Sequence, residues 1–237
     1  MSKLILALNV ADATTARQLY EKIRDNIDLY KIGIDLWTRY GPELVRELRA
    51  AGAEIFLDLK FSDIPSVVAK AVEAVTELGI KMLTVHTMGG AEMLYAAART
   101  AKLTAEKLGQ EKPLLLGVTV LTSLDRAGLT QITGCSQEVA NRVVALAELA
   151  QSMELDGVVA SPKEIQLIKK ACGPKFLVVT PGIRLTATQA TDDQQRLLTP
   201  REAKKAGADY IVVGRPIYEA PDPIKVIDEI KSQMKGT

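Results

Sequence analysis

The chain has 237 residues, 47% of them hydrophobic, enough for one large core. Its 30 basic and 29 acidic residues leave a formal net charge of +1, which gives no general pull toward nucleic acid or an anionic membrane surface. The only cysteines, Cys135 and Cys172, form neither a disulfide framework nor a close metal pair, and they fit a reducing, cytoplasmic setting. No stretch approaches the roughly 20 apolar residues of a membrane span. The opening MSKLILALNVAD has too short an apolar run for a secretory leader.

Apolar, β-prone runs recur along the chain. They are LILALNV (4–10), LYKIGI (29–34), EIFLDLK (54–60), KMLTVHT (81–87), PLLLGVTVL (113–121), DGVVAS (156–161), KFLVVT (175–180) and DYIVVGR (209–215). Between them lie segments with apolar residues at i, i+3, i+4 and i+7, such as ATTARQLYEKIRDN, PELVRELRAAG and SVVAKAVEAVTELG. Several close on Gly, a helix stop signal. The last helix is expected over DPIKVIDEIKSQM, with Asp222 as N-cap and Pro223 in its first turn. Eight strands alternating with about eight helices imply parallel strands joined by helical crossovers. In a chain this short, that order predicts a TIM (β/α)8 barrel forming one domain over residues 1–237. A doubly wound open sheet would also hold such an alternation, but no Gly-x-Gly-x-x-Gly follows the first run. No repeat is visible at the level of residues.

Active sites of such barrels lie at the carboxyl ends of the strands. Here those ends gather polar groups: Asn9, Lys31 through Asp35, Asp58 with Lys60, His86 with Thr87, Thr122 with Ser123, Ser161, Thr180 before Pro181, and Gly214 with Arg215. Strand ends are often polar only because loops are. The run IFLDLKFSDIP (55–65) is different, because it carries charges within the strand. Side chains alternate across a strand, so Asp58 and Lys60 share one face while Leu57, Leu59 and Phe61 share the other. The outer face of a barrel strand packs under helices. The charges are therefore expected to point inward, where they must pair. A structural ion pair would satisfy that demand too.

The loops after the last two strands form the usual phosphate site of the fold. Arg184, with Gln194 and Gln195, follows the seventh run, and Gly214-Arg215 closes the eighth. Glycine lets backbone N–H groups approach an anion, and arginine offers a planar fork. Residues 182–198 are long, polar and Thr-rich, as a closing lid would be. The single histidine, His86, reads as a structural hydrogen-bonder, and no His/Cys/carboxylate cluster suggests a metal site.

Asp58-Leu59-Lys60-Phe61-Ser62-Asp63-Ile64-Pro65 resembles the Asp-x-Lys-x-x-Asp-Ile-Pro signature of the orotidine 5′-phosphate decarboxylases. Lys31-Ile32-Gly33, RYGPELVRELRAAG, VTVLTS, VTPGIR and VVGRPI read like the same family in the same order, across nearly the whole chain. The resemblance implies cofactor-free conversion of orotidine 5′-monophosphate to uridine 5′-monophosphate and CO2, the last step of de novo pyrimidine nucleotide synthesis. It implies Lys60 as proton donor to C6 within an alternating network of Lys31, Asp58, Lys60 and Asp63, with Asp63 contributed across a homodimer interface. Substrate contacts would come from Asn9 and Lys31 at the ribose, and from Ile64, Thr122, Ser123 and Pro181 around the base. Arg184, Gln194, Gly214 and Arg215 would hold the phosphate. No metal, nucleic acid or membrane partner is implied. Asn9 departs from the family's usual Asp, Ser62 from a common His, and Val67 from Thr. A magnesium-dependent sugar-phosphate lyase on the same barrel and a nucleotide-binding barrel without turnover are the competing readings.

Overall fold

A computed structural model describes residues 2–185 and 198–235. The eight strands are β1 (Lys3–Ala7), β2 (Leu29–Gly33), β3 (Ile55–Phe61), β4 (Met82–His86), β5 (Leu114–Val118), β6 (Gly157–Val159), β7 (Leu177–Thr180) and β8 (Tyr210–Val213). They pair in parallel and in chain order, and β8 closes on β1, giving a barrel. The helices between and after them are α1 (Ala13–Ile23), α2 (Ile34–Ala50), α3 (Pro65–Thr76), α4 (Ala91–Leu108), α5 (Arg126–Thr133), α6 (Val139–Ser152), α7 (Ile165–Cys172), α8 (Pro200–Ala206), α9 (Arg215–Tyr218) and α10 (Pro223–Lys235). This is the TIM barrel expected from the alternation. Among the described residues, no helix is long and apolar enough to cross a membrane.

Local chemistry sets the boundaries. Asp12 caps α1 by accepting the Thr15 N–H at 2.8 Å, and Thr199 with Glu202 forms a capping box on α8. The N–H of Lys225 meets the Asp222 carboxylate at 3.2 Å, so the expected start of the last helix holds. The second strand stops earlier than read from sequence. β2 ends at Gly33, and Asp35 lies in the first turn of α2, paired with Arg39 at 2.8 Å on the surface. The expected helix from Pro42 is the second half of α2, which breaks at Gly41, where φ is +58°.

Two cores follow from the alternation. Outward residues such as Leu4, Leu6, Ile32, Leu57 and Val85 pack under the helices. Inward residues Ile5, Ala7, Leu29, Phe56, Met82, Leu116, Val179, Tyr210 and Val212 fill the barrel. Phe56 lies inward, one pleat step before Asp58, so the charged pair expected to point inward stands on an apolar floor. At the opposite, amino-terminal foot, three carboxylates bridge neighbouring strands. Asp28 accepts the N–H of Leu4, Asp156 that of Leu115 and Asp209 that of Val178, at 2.8, 2.8 and 2.7 Å. Lys112 and Lys169 pair with the second and third of these.

Candidate active site

β3 is the irregular strand. Leu57 lies opposite Leu83 and Phe61 opposite Val85, so four steps along β3 span two along β4. An excess of two residues keeps each side chain on its own face, which is why the alternation read from sequence survives. The excess is absorbed at Lys60, whose φ of +53° is left-handed and unusual for a side-chain-bearing residue.

That bend brings three charges together. Asp58 Oδ1 accepts from Lys60 Nζ at 2.9 Å, and Asp58 Oδ2 lies 3.3 Å from Lys31 Nζ. The hydroxyl of Thr84, fully buried on β4, lies 3.0 Å from Asp58 Oδ1 and accepts the Lys60 backbone N–H at 2.9 Å. The side chains of Lys31 and Asp58 are only 12% and 13% exposed, so each feels both desolvation and its partner. Burial works to raise the Asp58 pKa, but Lys31, Lys60 and the hydrogen bonds from Lys60 and Thr84 carry it below the ordinary carboxylate value. Burial pushes Lys31 down from the ordinary lysine value, and the Asp58 carboxylate only partly offsets that. Gly33 leaves the space this ammonium occupies: a Cβ there would lie 3.3 Å from Lys31 Nζ.

The cluster forms one wall of a cavity of about 260 Å³. Val118, Val120, Leu121, Val159, Ala160 and Pro181 supply apolar lining, and Thr122 adds a hydroxyl. Across the mouth stand Gly182, Arg184, Gly214, Arg215 and Tyr218. Gly214 precedes the short extra helix α9. A Cβ at Gly214 would lie in van der Waals contact with the Tyr218 ring at 3.4 Å and Ala7 Cβ at 3.5 Å, so the glycine sits where β1 and α9 meet. Arg184 is anchored where its N–H meets the Leu198 carbonyl at 3.1 Å. Cationic side chains at one end and an apolar slot ending in the Lys-Asp-Lys cluster at the other suit a phosphorylated, flat, anionic molecule.

Of the residues singled out in the sequence, Asn9, Lys31, Asp58, Lys60, Thr122, Pro181, Arg184, Gly214 and Arg215 line this one cavity. Of the described residues that the family resemblance implies at the site, three stand apart from it. Ser123 is outside the lining. Asp63 is exposed and accepts the Ile64 N–H at 2.6 Å, and Ile64 is 63% exposed. Gln194 and Gln195 lie outside the described residues. His86 accepts the Met88 N–H at 3.3 Å, as a structural hydrogen-bonder does, and burial and nearby Lys60 lower its pKa. Thr84 and Tyr218 were missed by the sequence reading. Thr84 shares the inward parity of His86 on β4, and Tyr218 comes four residues after Gly214, so strand parity and helix spacing were the available signals.

The fold and site together define a (β/α)8 barrel with its polar groups gathered at the carboxyl ends of the strands, the arrangement of enzymes of this architecture. The model of the orotidine 5′-phosphate decarboxylase / HUMPS family matches residues 2–230, and the chain belongs to that family. It is 44% identical over 233 residues to the orotidine 5′-phosphate decarboxylase of Moorella thermoacetica, covering 98% of this chain and 92% of the relative. The Geobacter sulfurreducens enzyme of the same name is 46% identical over 233 residues, covering 96% and 95%. The crystal structure of orotidine 5′-phosphate decarboxylase from Lactobacillus acidophilus superposes with a TM-score of 0.88 at 34% identity, with both chains fully covered.

Proposed function

We propose that this chain is a carboxy-lyase that converts orotidine 5′-monophosphate to uridine 5′-monophosphate and CO2 without a cofactor. Its relatives of that name support the reaction. The observation that carries the mechanism is the Lys31–Asp58–Lys60 cluster set against apolar lining in one cavity that Arg184 and Arg215 also line.

Arg184, Arg215 and the backbone at Gly214 hold the phosphate, joined by Gln194 from the neighbouring segment. Pro181 and Thr122 border the pyrimidine, and Asn9 with Lys31 meets the ribose. The substrate carboxylate then lies against Asp58. Two like charges about 4 Å apart repel by on the order of 4 kcal/mol at an effective dielectric near 20. The repulsion ends when the C6–carboxylate bond breaks and CO2 leaves with its electron pair left on C6. Lys60 stabilises that carbanion as a cation and then gives it a proton from Nζ, regaining one from water. Stabilising the developing charge contributes more than repulsion, because it is strongest in the transition state.

The working unit in this reading is a homodimer. Asp63 stands outside its own cavity, and Ile64 and Val67 beside it are 63% and 44% exposed. Ile34 and Met88, at the ends of the flanking strands, are 56% and 40% exposed. A second copy laid over this apolar rim would cover it and receive Asp63 and Ile64 at its own site.

The test is the absorbance of orotidine 5′-monophosphate mixed with purified protein and a chelator, beside Lys60→Ala. Loss of the orotate band with wild type alone is expected, with uridine 5′-monophosphate still binding the variant within a few-fold. Turnover that stops on chelation, or that survives in Lys60→Ala, would sink the mechanism.

A further inference from the structure

Thr84 has no part in the chemistry proposed for Lys60, yet its hydroxyl hydrogen-bonds both to the bend in β3 and to the charge cluster. A hydroxyl has one proton and two lone pairs. The Lys60 peptide N–H, pulled out of the regular ladder by the register shift, uses one lone pair at 2.9 Å. The proton is then free for Asp58 Oδ1, 3.0 Å away, the same oxygen that accepts from Lys60 Nζ at 2.9 Å. Three bonds therefore close a ring: Lys60 backbone to Thr84, Thr84 to Asp58, and Asp58 to the Lys60 ammonium.

The ring explains how a strained residue is held. A left-handed conformation at a lysine persists only where its surroundings fix it from several sides. Here the backbone of Lys60 is tied to β4 and its side-chain tip to β3. Thr84 is 0% exposed, so no water can replace its hydroxyl without rearrangement. Removing the hydroxyl alone would orphan a backbone N–H and strip a donor from the carboxylate.

We propose that Thr84 is a positioning residue for the decarboxylation: its hydroxyl locks the bend in β3 that aims the Lys60 ammonium into the cavity. The inference rests on the functional reading above, which makes Lys60 the proton donor. It concerns how that donor is placed.

The test compares wild type, Thr84→Val and Thr84→Ser. Valine keeps the shape and loses the hydroxyl, and serine restores it. Thr84→Val is expected to lower kcat for orotidine 5′-monophosphate by about 10- to 100-fold. Its KM should stay within about threefold, and the acid limb of its kcat/KM profile should move to higher pH, because Asp58 loses a donor that favours its ionised form. Thr84→Ser should stay within about threefold of wild type in kcat. A readout independent of turnover is the crystal structure of Thr84→Val, in which Lys60 is expected to leave its left-handed conformation and its Nζ to move off Asp58. An unchanged Lys60 in that structure, an unshifted kcat and pH limb, or a serine variant as impaired as valine would overturn the proposal. If Thr84→Val does not fold, Thr84→Ala carries the same expectations. Failure of both to fold would overturn the proposal, because the hydroxyl would then be a requirement of the barrel itself. A wild-type protein that consumes no orotidine 5′-monophosphate would instead sink the functional reading, and the crystal structure would still decide the role of Thr84.

Discussion

Replacing Asp58 by Asn keeps the shape of the side chain and removes the one negative charge that two ammonium groups share. The gross attraction lost is large. At an effective dielectric near 20, the 2.9 Å contact to Lys60 and the 3.3 Å contact to Lys31 each correspond to about 5–6 kcal/mol. Desolvation of the charges offsets most of it, and the 30% exposure of Lys60 weakens its share further. Breaking a buried pair by removing one partner typically costs about 3–5 kcal/mol, and the lower end applies to this partly open cluster. For a chain of this length, that loss corresponds to a Tm lower by about 6–12 °C in a calorimetric scan at neutral pH. Lys31→Met should do the opposite, with Tm equal to or above wild type. Burial makes the Lys31 charge unfavourable on balance, and its removal leaves Asp58 still paired with Lys60. The pH dependence checks the cause. The Asp58 pKa is depressed in the folded chain, so its contribution is full above the unfolded value near 3.8 and is lost as pH falls through the folded value. The gap between wild type and Asp58→Asn should close over that acid range. An Asp58→Asn protein that melts at or above wild type, or a Lys31→Met protein that melts as low, would refute this account of the cluster.

Arg215→Ala should lower kcat/KM for orotidine 5′-monophosphate by about 100-fold, the loss of charge-assisted hydrogen bonds to phosphate. The phosphate-free nucleoside orotidine is the discriminating substrate: wild type and variant should turn it over equally slowly, and an equal loss on both substrates would remove Arg215 from the phosphate site. On the alkaline side, kcat/KM should begin to fall below pH 10.5, because the free protein holds Lys31 below that ordinary lysine value. Over the same range, between the folded and unfolded pKa values of Lys31, the unfolded chain binds the extra proton, so the stability of wild type relative to Lys31→Met should rise with pH in denaturant titrations at successive pH values; the comparison cancels the opposing pull of Tyr30 and Tyr210, whose pKa values burial raises. Activity flat to pH 10.5 would contradict a charged Lys31 in turnover.

The barrel was legible because parallel strands covered on both faces must be apolar runs separated by amphipathic helices, and this chain spells that order out from Leu4 to Val213. Strand ends were less legible. Ile34 and Asp35 follow an apolar run and give no hint that the backbone turns helical at Ile34. The inward pair Asp58 and Lys60 was readable because strand parity is arithmetic. Parity turns Thr84 inward as well, but its bonds to Lys60 and Asp58 depend on a register shift that brings β4 against a bend in β3, and one sequence carries no record of pairing. Arg184 and Arg215 were legible by position, since each follows closely on one of the last two strands. Ser123 has the same composition signal as Thr122, but only Thr122 lines the cavity.

The three carboxylates at the foot of the barrel occupy one repeated station. Each stands immediately before an even-numbered strand and reaches the second residue of the odd-numbered strand preceding it: Asp28 to Leu4, Asp156 to Leu115, while Asp209 before β8 reaches Val178. The separations along the chain are 24, 41 and 31 residues, so no fixed period betrays the pattern in the sequence. The barrel is thus indexed from below, in pairs, by pegs that fix how far each strand can slide past its neighbour. At the corresponding station before β4 stands Lys81, which has donors and no acceptor. The pair without a peg is β3 with β4, the pair whose alignment slips by two residues at the cluster. Three of the four odd-even strand pairs carry such a peg, and the fourth keeps the slack at which the chain bends through Lys60.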